Sequence, residues 1–241
     1  MIRVFTAFSG YDSQCLALDE LHKTHGLEYE LVGWSEIDKY AIQAHNALYP
    51  QWADRNHGDI SKVDWHNVPD FDLFTYSFPC TDISNAGQQR GLEEGSGTRS
   101  SLLWECERCI EIKRPKFLLM ENVKALTQAK FMPYLQKWAN ILEGYGYTNY
   151  TKVLNAKDYG VPQNRERVFM VSILGGGQFR FPKPFELKQR LADVLEEEVE
   201  EKYYLKDDIV EKYLERTRLN QEEGKGFGFF QETPTATSPD A

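Results

Sequence analysis

Short strand-like runs alternate with longer helix-like runs through most of this sequence, and that alternation constrains the possible fold more than any other feature. The run IRVFTAF at residues 2–8 is typical of a buried strand, and DSQCLALDELHKT after it is typical of a helix capped by Asp12 or Ser13. The same order recurs in later segments: strands EYELVGWSE, FDLFTYSF, FLLMEN, TNYTKVLNA and RVFMVSIL, and helices IDKYAIQAHNALY, SSLLWECERCIEIK and FMPYLQKWANILEGY. The pattern predicts an α/β fold with a mostly parallel sheet and helices on both faces.

The pattern changes after the glycine- and proline-rich segment GGGQFRFPKPF at residues 175–185, which is typical of a linker. Two acidic helices are predicted beyond it, around residues 187–204 and 207–219. We therefore expect one domain over residues 1–175 and a short C-terminal appendage over residues 186–241.

The charge of the chain is negative and unevenly spread. The formal net charge is −9, and residues 186–223 carry 13 acidic and seven basic side chains, which leaves −3 for the rest. Acidity weakens the case for a nucleic-acid partner without excluding one, because a near-neutral body can present a local basic face. No apolar run is long enough to span a membrane, no secretion signal is evident, and four cysteines are too few for a disulfide scaffold. We expect a cytoplasmic protein with reduced thiols.

Chemically active side chains recur where the predicted strands end, which is where ligands bind in such sheets. The turn FSGYDS contains one glycine, Gly10, which fits either a ligand-binding turn or an ordinary connection. Glu36 follows the second strand and could accept hydrogen bonds from ribose hydroxyls or cap a helix. Asp59, in HGDI, could be a third strand-end acid, although an exposed turn residue is the default interpretation of this position.

Cys80 follows Pro79 at the carboxyl edge of a predicted strand, and a long polar, glycine-rich stretch comes after it. Structural cysteines usually lie inside apolar runs, so this position fits a nucleophile as well as it fits a structural cysteine. Glu121 ends the next strand and could stand close to Cys80, an arrangement that suggests attack on an electrophilic ring polarised by the acid. Arg165 and Arg167 alternate at the start of a strand, which fits contact with a phosphate or a base, or surface ion pairs.

Cys106 and Cys109 form an isolated CxxC pair on a predicted helix. A zinc site would need two further ligands, so no metal site is predicted.

Taken together and in this order, AFSG, SEIDKYA, GDI, FPC, MENVKAL and YGVPQNRERVFMV resemble the cytosine-5 DNA methyltransferase family of bacterial or phage type. The resemblance implies a Rossmann-like fold, S-adenosylmethionine as cofactor and double-stranded DNA as partner, with methylation at carbon 5 of a flipped cytosine. The resemblance also implies a place in a restriction-modification system.

The resemblance also implies roles for individual residues. Cys80 would attack carbon 6 of cytosine, Glu121 would bind nitrogen 3, Arg165 would contact the base and Arg167 would support the site. The residues implied around the cofactor are Phe8, Ser9, Gly10, Glu36, Ile37, Asp59, Ile60, Pro79 and Leu102. Within that set, Glu36 would hold the ribose and Asp59 the adenine amino group.

The chain departs from the family pattern in two places. Asp12 and Ser13 stand where the family usually has glycines, and no glycine-asparagine segment like the family's C-terminal motif is found. A truncated product, one half of a split enzyme completed by a separate chain, and an artificially shortened chain all stay open. Residues 186–241 would then be a partial target-recognition region. The alternative functions are a tRNA cytosine-5 methylase, whose signature insertion is not found, and a non-catalytic module that binds cofactor or DNA.

Overall fold

The computed structural model describes residues 1–79 and 102–224, which form an α/β fold around a six-stranded sheet. The chain divides into two compact units. The first contains Met1–Leu154 and Glu166–Pro182, and the second contains Asn155–Arg165 with the described residues from Lys183 onward.

Six strands and five α-helices make up the regular structure of the described residues. The strands are Ile2–Ala7 (β1), Tyr29–Ser35 (β2), Leu73–Tyr76 (β3), Phe117–Val123 (β4), Tyr147–Asn155 (β5) and Glu166–Leu174 (β6). The helices are Ser13–His25 (α1), Lys39–Leu48 (α2), Leu103–Lys113 (α3), Met132–Gly144 (α4) and Asp207–Glu222 (α5).

The sheet has the strand order β2-β1-β3-β4-β6-β5. β1 pairs in parallel with β2 and β3, and β3 pairs in parallel with β4. β6 runs antiparallel to β4. Because successive connections leave β1 toward opposite sides of the sheet, a crevice is expected beyond its carboxyl end, where open α/β sheets bind ligands.

Alternate residues of β1 face two separate hydrophobic clusters, as period-two side chains should. Phe5 is buried in the larger cluster, which includes side chains from α3 and α4. Val4 is buried in the smaller cluster with Cys15 and Leu18 of α1, and Ile42 of α2 packs against it. The prediction of an α/β fold with helices on both faces of the sheet is therefore confirmed.

Two local predictions were wrong. Residues 187–204 do not form one helix, since the structure has only the 3-10 helices Leu191–Val194 and Glu201–Tyr203 there. The acidic run between them places like charges one helical turn apart, which disfavours a helix. Asp59 does not follow a strand either, because it precedes the 3-10 helix Ile60–Lys62.

The second acidic helix was predicted correctly and is α5. Within the described residues, no helix combines the length and the apolar character needed to cross a bilayer.

Candidate functional site

The turn between β1 and α1 has an unusual backbone. Phe8, Gly10 and Asp12 all have positive φ, at 56°, 59° and 69°. A Cβ built on Gly10 would meet no atom within 4 Å, so the backbone there faces open space that a ligand could approach. Ser9 between them is buried, and its Oγ has no hydrogen-bond partner among the described residues.

The Glu36 carboxylate organises this turn from the side of β2. Its Oε2 accepts a hydrogen bond from the Gly10 N–H at 2.9 Å. Its Oε1 accepts from the N–H groups of Ile37 and Asp38, at 2.7 and 2.9 Å. A carboxylate has about four acceptor sites, so capacity for a hydroxyl donor is left after these three bonds. The cap of α2 is Asp38 rather than Glu36.

Asp59 lies in a loop that Asn56 ties to Glu36. The Asn56 Oδ1 accepts from the N–H groups of Glu36 and Gly58, at 3.2 and 2.9 Å. The pKa of Asp59 lies below its usual value, mainly because the Ser61 hydroxyl and then the Ser61 N–H donate to its carboxylate. Sequence reasoning missed Asn56, since only its position before HGDI could have suggested a role.

Two other residues expected around the cofactor differ sharply in exposure. Ile60 is 3% exposed and belongs to the core, whereas Ile37 is 66% exposed. An exposed apolar side chain beside the Glu36 carboxylate is available to a ligand, while Ile60 can act only from within the core.

Glu121 and Arg167 meet where β4 pairs with β6. The Arg167 Nε lies 3.1 Å from the Glu121 Oε1, and both side chains are about three-quarters buried, at 22% and 27% exposed. The Arg167 guanidinium also donates to the backbone oxygen of Glu166 at 2.8 Å. Both contacts restrict the guanidinium, so it in turn fixes the orientation of the Glu121 carboxylate.

Asn122 connects this pair to the chain that leads into Cys80. Its buried side-chain amide donates to the Phe78 backbone oxygen at 3.0 Å. The end of β3 and the end of β4 are thereby held together two residues before Cys80. Sequence reasoning did not assign Asn122 a role, although a polar residue that continues the buried face of an apolar strand is a signal of one.

The remaining predicted site residues lie in different places. Cys80 falls outside the described residues, which stop at Pro79 and resume at Leu102, directly before α3. Arg165 belongs to the second compact unit, where its side chain is exposed and its N–H donates to the Asn155 Oδ1 at 3.0 Å. It lies directly before β6, which begins at Glu166.

The other three cysteines are sealed in the core. Cys15, Cys106 and Cys109 are fully buried, and burial raises the pKa of each thiol well above its usual value. Thiols held in the neutral form are poor nucleophiles. No group of three or more potential metal ligands occurs within residues 1–79 and 102–224.

The arrangement has two parts with distinct chemical capacities. The turn at Gly10 offers open backbone, a buried hydroxyl and a neighbouring carboxylate, a donor and acceptor set that suits a nucleoside with an amino-acid tail. The Glu121–Arg167 pair offers an oriented carboxyl group for a planar nitrogen heterocycle.

Comparison with known families gives a match over almost the whole chain. The sequence model of the family described as C-5 cytosine-specific DNA methylase matches residues 2–239.

Curated relatives agree with that match. The chain is 41% identical over 262 residues to the type II methyltransferase M2.ScrFI of Lactococcus lactis subsp. cremoris, covering 87% of this chain and 72% of the relative. It is 38% identical over 200 residues to the type II methyltransferase M1.ScrFI of the same organism, covering 81% of this chain and 50% of the relative. The chain thus spans between half and about three-quarters of the length of these relatives.

The fold has counterparts among solved structures. The Dnmt2 methyltransferase of S. pombe superposes with a TM-score of 0.68 at 19% sequence identity, covering 89% of this chain and 66% of that one. At this identity the likeness concerns the fold alone.

Proposed function

Because the chain belongs to the C-5 cytosine-specific DNA methylase family, we propose that it methylates carbon 5 of cytosine in DNA with S-adenosylmethionine as the methyl donor. The observation that carries the proposal is the link between the Glu121–Arg167 pair and the chain before Cys80. Addition of a cysteine to a cytosine ring requires an oriented carboxyl group close to that cysteine. The predicted DNA methyltransferase function agrees with the family.

The residues of the β1–α1 turn fit S-adenosylmethionine. The free backbone face of Gly10 permits close approach, and the buried Ser9 hydroxyl, which has no partner among the described residues, can bond to the polar tail. Glu36 has acceptor capacity for ribose hydroxyls, and Ile37 offers apolar surface for a purine. When bound, this cofactor supplies an electrophilic methyl group. Phe8, Asp59, Ile60, Pro79 and Leu102 complete the proposed set.

We assign the chemical steps to residues of this chain as follows. The Cys80 thiolate adds to carbon 6 of the flipped cytosine, while the Glu121 carboxyl group hydrogen-bonds to nitrogen 3 and draws electrons into the ring. Addition makes carbon 5 nucleophilic enough to accept a methyl group. Loss of the carbon 5 proton and release of the thiolate then restore the aromatic ring.

The two arginines have separate proposed tasks. Arg167 holds the Glu121 carboxyl group in place through its 3.1 Å contact. Arg165 contacts the base, since it is exposed and has five donors for ring and phosphate oxygens. Residues 1–175 would carry catalysis and cofactor binding, and residues 186–241 would contribute to recognition of the DNA target.

A covalent trap tests this function. DNA of mixed sequence is synthesised with 5-fluorocytosine in place of cytosine and incubated with the protein and S-adenosylmethionine. Fluorine cannot leave as a cation, so elimination stops and a protein–DNA adduct accumulates. We expect Cys80→Ser to abolish the adduct and Glu121→Gln to slow it by about 10²-fold, a typical scale for loss of a positioned acid.

Glu111→Gln serves as the matched control, because Glu111 is an exposed acid on α3 that lies nine residues beyond Leu102. It should trap as fast as the wild-type protein. Transfer of a labelled methyl group to tRNA but not to DNA would instead support the tRNA methylase alternative. If neither transfer occurs, adding in trans the C-terminal segment expected from the family pattern should restore it, and continued inactivity would contradict the proposal.

A further inference from the structure

Asp12 occupies a backbone conformation that favours glycine, yet its side chain is fully buried. Its φ and ψ are 69° and 62°, in the left-handed region where a non-glycine residue needs compensation. Hydrogen bonds to the Asp12 carboxylate supply this compensation. Oδ2 accepts from the Thr6 hydroxyl of β1 at 2.7 Å, and Oδ1 accepts from the Cys15 N–H at 3.2 Å. Asp12 thus fastens the end of the turn to both β1 and α1.

His45 of α2 faces the same carboxylate. Its Nε2 lies 3.6 Å from the Asp12 Oδ2, and both side chains have no exposed surface. The imidazole stacks on Trp34 with ring centroids 3.7 Å apart, which fixes its plane. Neither ring nitrogen has a hydrogen-bond partner among the described residues. A buried carboxylate needs compensating groups, and His45 is a third polar neighbour of this one, beside the Thr6 hydroxyl and the Cys15 N–H.

Two residues in or just before α2 therefore contact this turn. Glu36, three residues before α2 begins, binds the Gly10 N–H, and His45 within α2 engages Asp12. Gly10 and Asp12 bracket the backbone that would approach the cofactor. A shift of either anchor would move the Gly10 N–H and the Ser9 hydroxyl together.

We infer that Asp12 and His45 are positioning residues that set the geometry of the cofactor turn, an inference that rests on the proposed binding of S-adenosylmethionine there. Loss of the imidazole leaves the buried Asp12 carboxylate with an apolar neighbour on that side and with only the Thr6 hydroxyl and the Cys15 N–H as compensating donors. The turn then relaxes toward solvent to hydrate that carboxylate, and the cofactor loses its preformed site. Removing the charge of Asp12 as well removes the reason for the turn to move.

The chain contains a natural comparison for this pair. Asp19, within α1, accepts hydrogen bonds from the hydroxyls of Tyr29 and Tyr49 at 2.6 and 2.9 Å. Tyr49 follows α2, so this second carboxylate ties the same two helices together at a point about two helical turns beyond Asp12. Its loss should weaken helix packing without touching the turn.

Calorimetric titration with S-adenosylhomocysteine, together with thermal unfolding, tests the inference on the full chain. His45→Phe keeps a ring against Trp34 and should raise the dissociation constant roughly tenfold, within the usual range for coupled neighbours. Asp12→Asn combined with His45→Phe should recover most of that affinity, because no uncompensated charge is left. Tyr49→Phe should lower the melting temperature and leave the dissociation constant within about twofold.

Other outcomes separate the inference from the function on which it rests. If folded wild-type protein does not bind S-adenosylhomocysteine, the proposal that S-adenosylmethionine is the cofactor is contradicted. Wild-type binding that His45→Phe leaves unchanged overturns the positioning role, and so does a double variant as weak as the single one. An equal loss in Tyr49→Phe would assign the effect to helix packing in general. Should His45→Phe fail to fold, His45→Leu, which is also apolar, replaces it, with the same expected order of affinities.

In steady-state assays, a positioning role should raise the KM for S-adenosylmethionine while kcat at saturation stays near the wild-type value. A fall in kcat with unchanged KM contradicts it.

Discussion

At the scale of single residues, the three cysteines within the described residues are all buried. Cys15, Cys106 and Cys109 have no exposed surface, and desolvation raises the pKa of each thiol. We predict that iodoacetamide modifies Cys80 first in the native protein and reaches the other three only after unfolding. Peptide mapping by mass spectrometry gives the four rates. Rapid native alkylation of Cys106 would contradict its burial, and a Cys80 as slow as the others would contradict its proposed role as nucleophile.

The sequence made some single residues predictable and hid others. Glu36 and Glu121 could be found because Glu36 follows the apolar strand β2 and Glu121 lies near the carboxyl end of the apolar strand β4, where parallel sheets expose polar groups. Asn56 and His45 could not be found, because their roles depend on a contact 20 residues away or on a ring stack, and no local pattern distinguishes them from ordinary polar residues. Asn122 has a local signal, its place on the buried face of β4, but its partner lies 44 residues away.

The strand and helix pattern was predictable at the level of elements wherever apolar periodicity was strong. α1, α2 and α4 follow the expected segments, since each buries one face against the sheet. Periodicity failed over residues 187–204, where charge repulsion opposes a helix. It also could not reveal that β6 runs antiparallel to β4, because strand direction depends on how the chain returns to the sheet.

Gly33 is a structural requirement of β2. A Cβ at this position would lie 2.7 Å from the Cε2 of Phe5, which is fully buried, and 3.0 Å from the Nε2 of His57. The register between β1 and β2 also shifts here. We predict that Gly33→Ala lowers the free energy of unfolding by about 1–3 kcal/mol, the usual cost of overpacking. Chemical denaturation followed by fluorescence measures it.

Gly144→Ala is the matched control for this change. A Cβ on Gly144, the last residue of α4, would meet no atom within 4 Å. The free energy of unfolding of the Gly144→Ala variant should stay the same or rise by a few tenths of a kcal/mol, because alanine restricts the unfolded chain. A loss of equal size in both variants would show that contact with Phe5 is not the cause.

Charge distribution matters at the scale of the whole molecule, since the proposed substrate is a polyanion. The segment of residues 186–223 carries a net charge of −6, and Glu196, Glu197 and Glu198 within it are exposed. If this segment contributes to target recognition, the triple glutamine variant of these residues should bind DNA more tightly at low ionic strength. The gain should disappear in high salt, where charges are screened within about 3 Å.

A control with the same change in net charge separates location from total charge. Glu20, Glu28 and Glu143 are exposed acids of the first compact unit. Their triple glutamine variant should improve DNA binding less than the C-terminal one, as measured by fluorescence anisotropy with a labelled duplex. Equal gains would contradict the assignment of residues 186–241 to target recognition.

The position of β6 in the sheet also fixes an order of events during synthesis on the ribosome. β6 lies between β4 and β5 although it is the last strand within the described residues, so β4 has no neighbour on that side until Glu166–Leu174 has emerged. An unpaired edge of this kind is open to association with other nascent chains. Arg167 arrives with the same strand, and Glu121 therefore acquires its partner only when that edge closes. The addition of β6 therefore pairs the proposed catalytic carboxylate with Arg167 and covers the exposed edge of β4 in the same step.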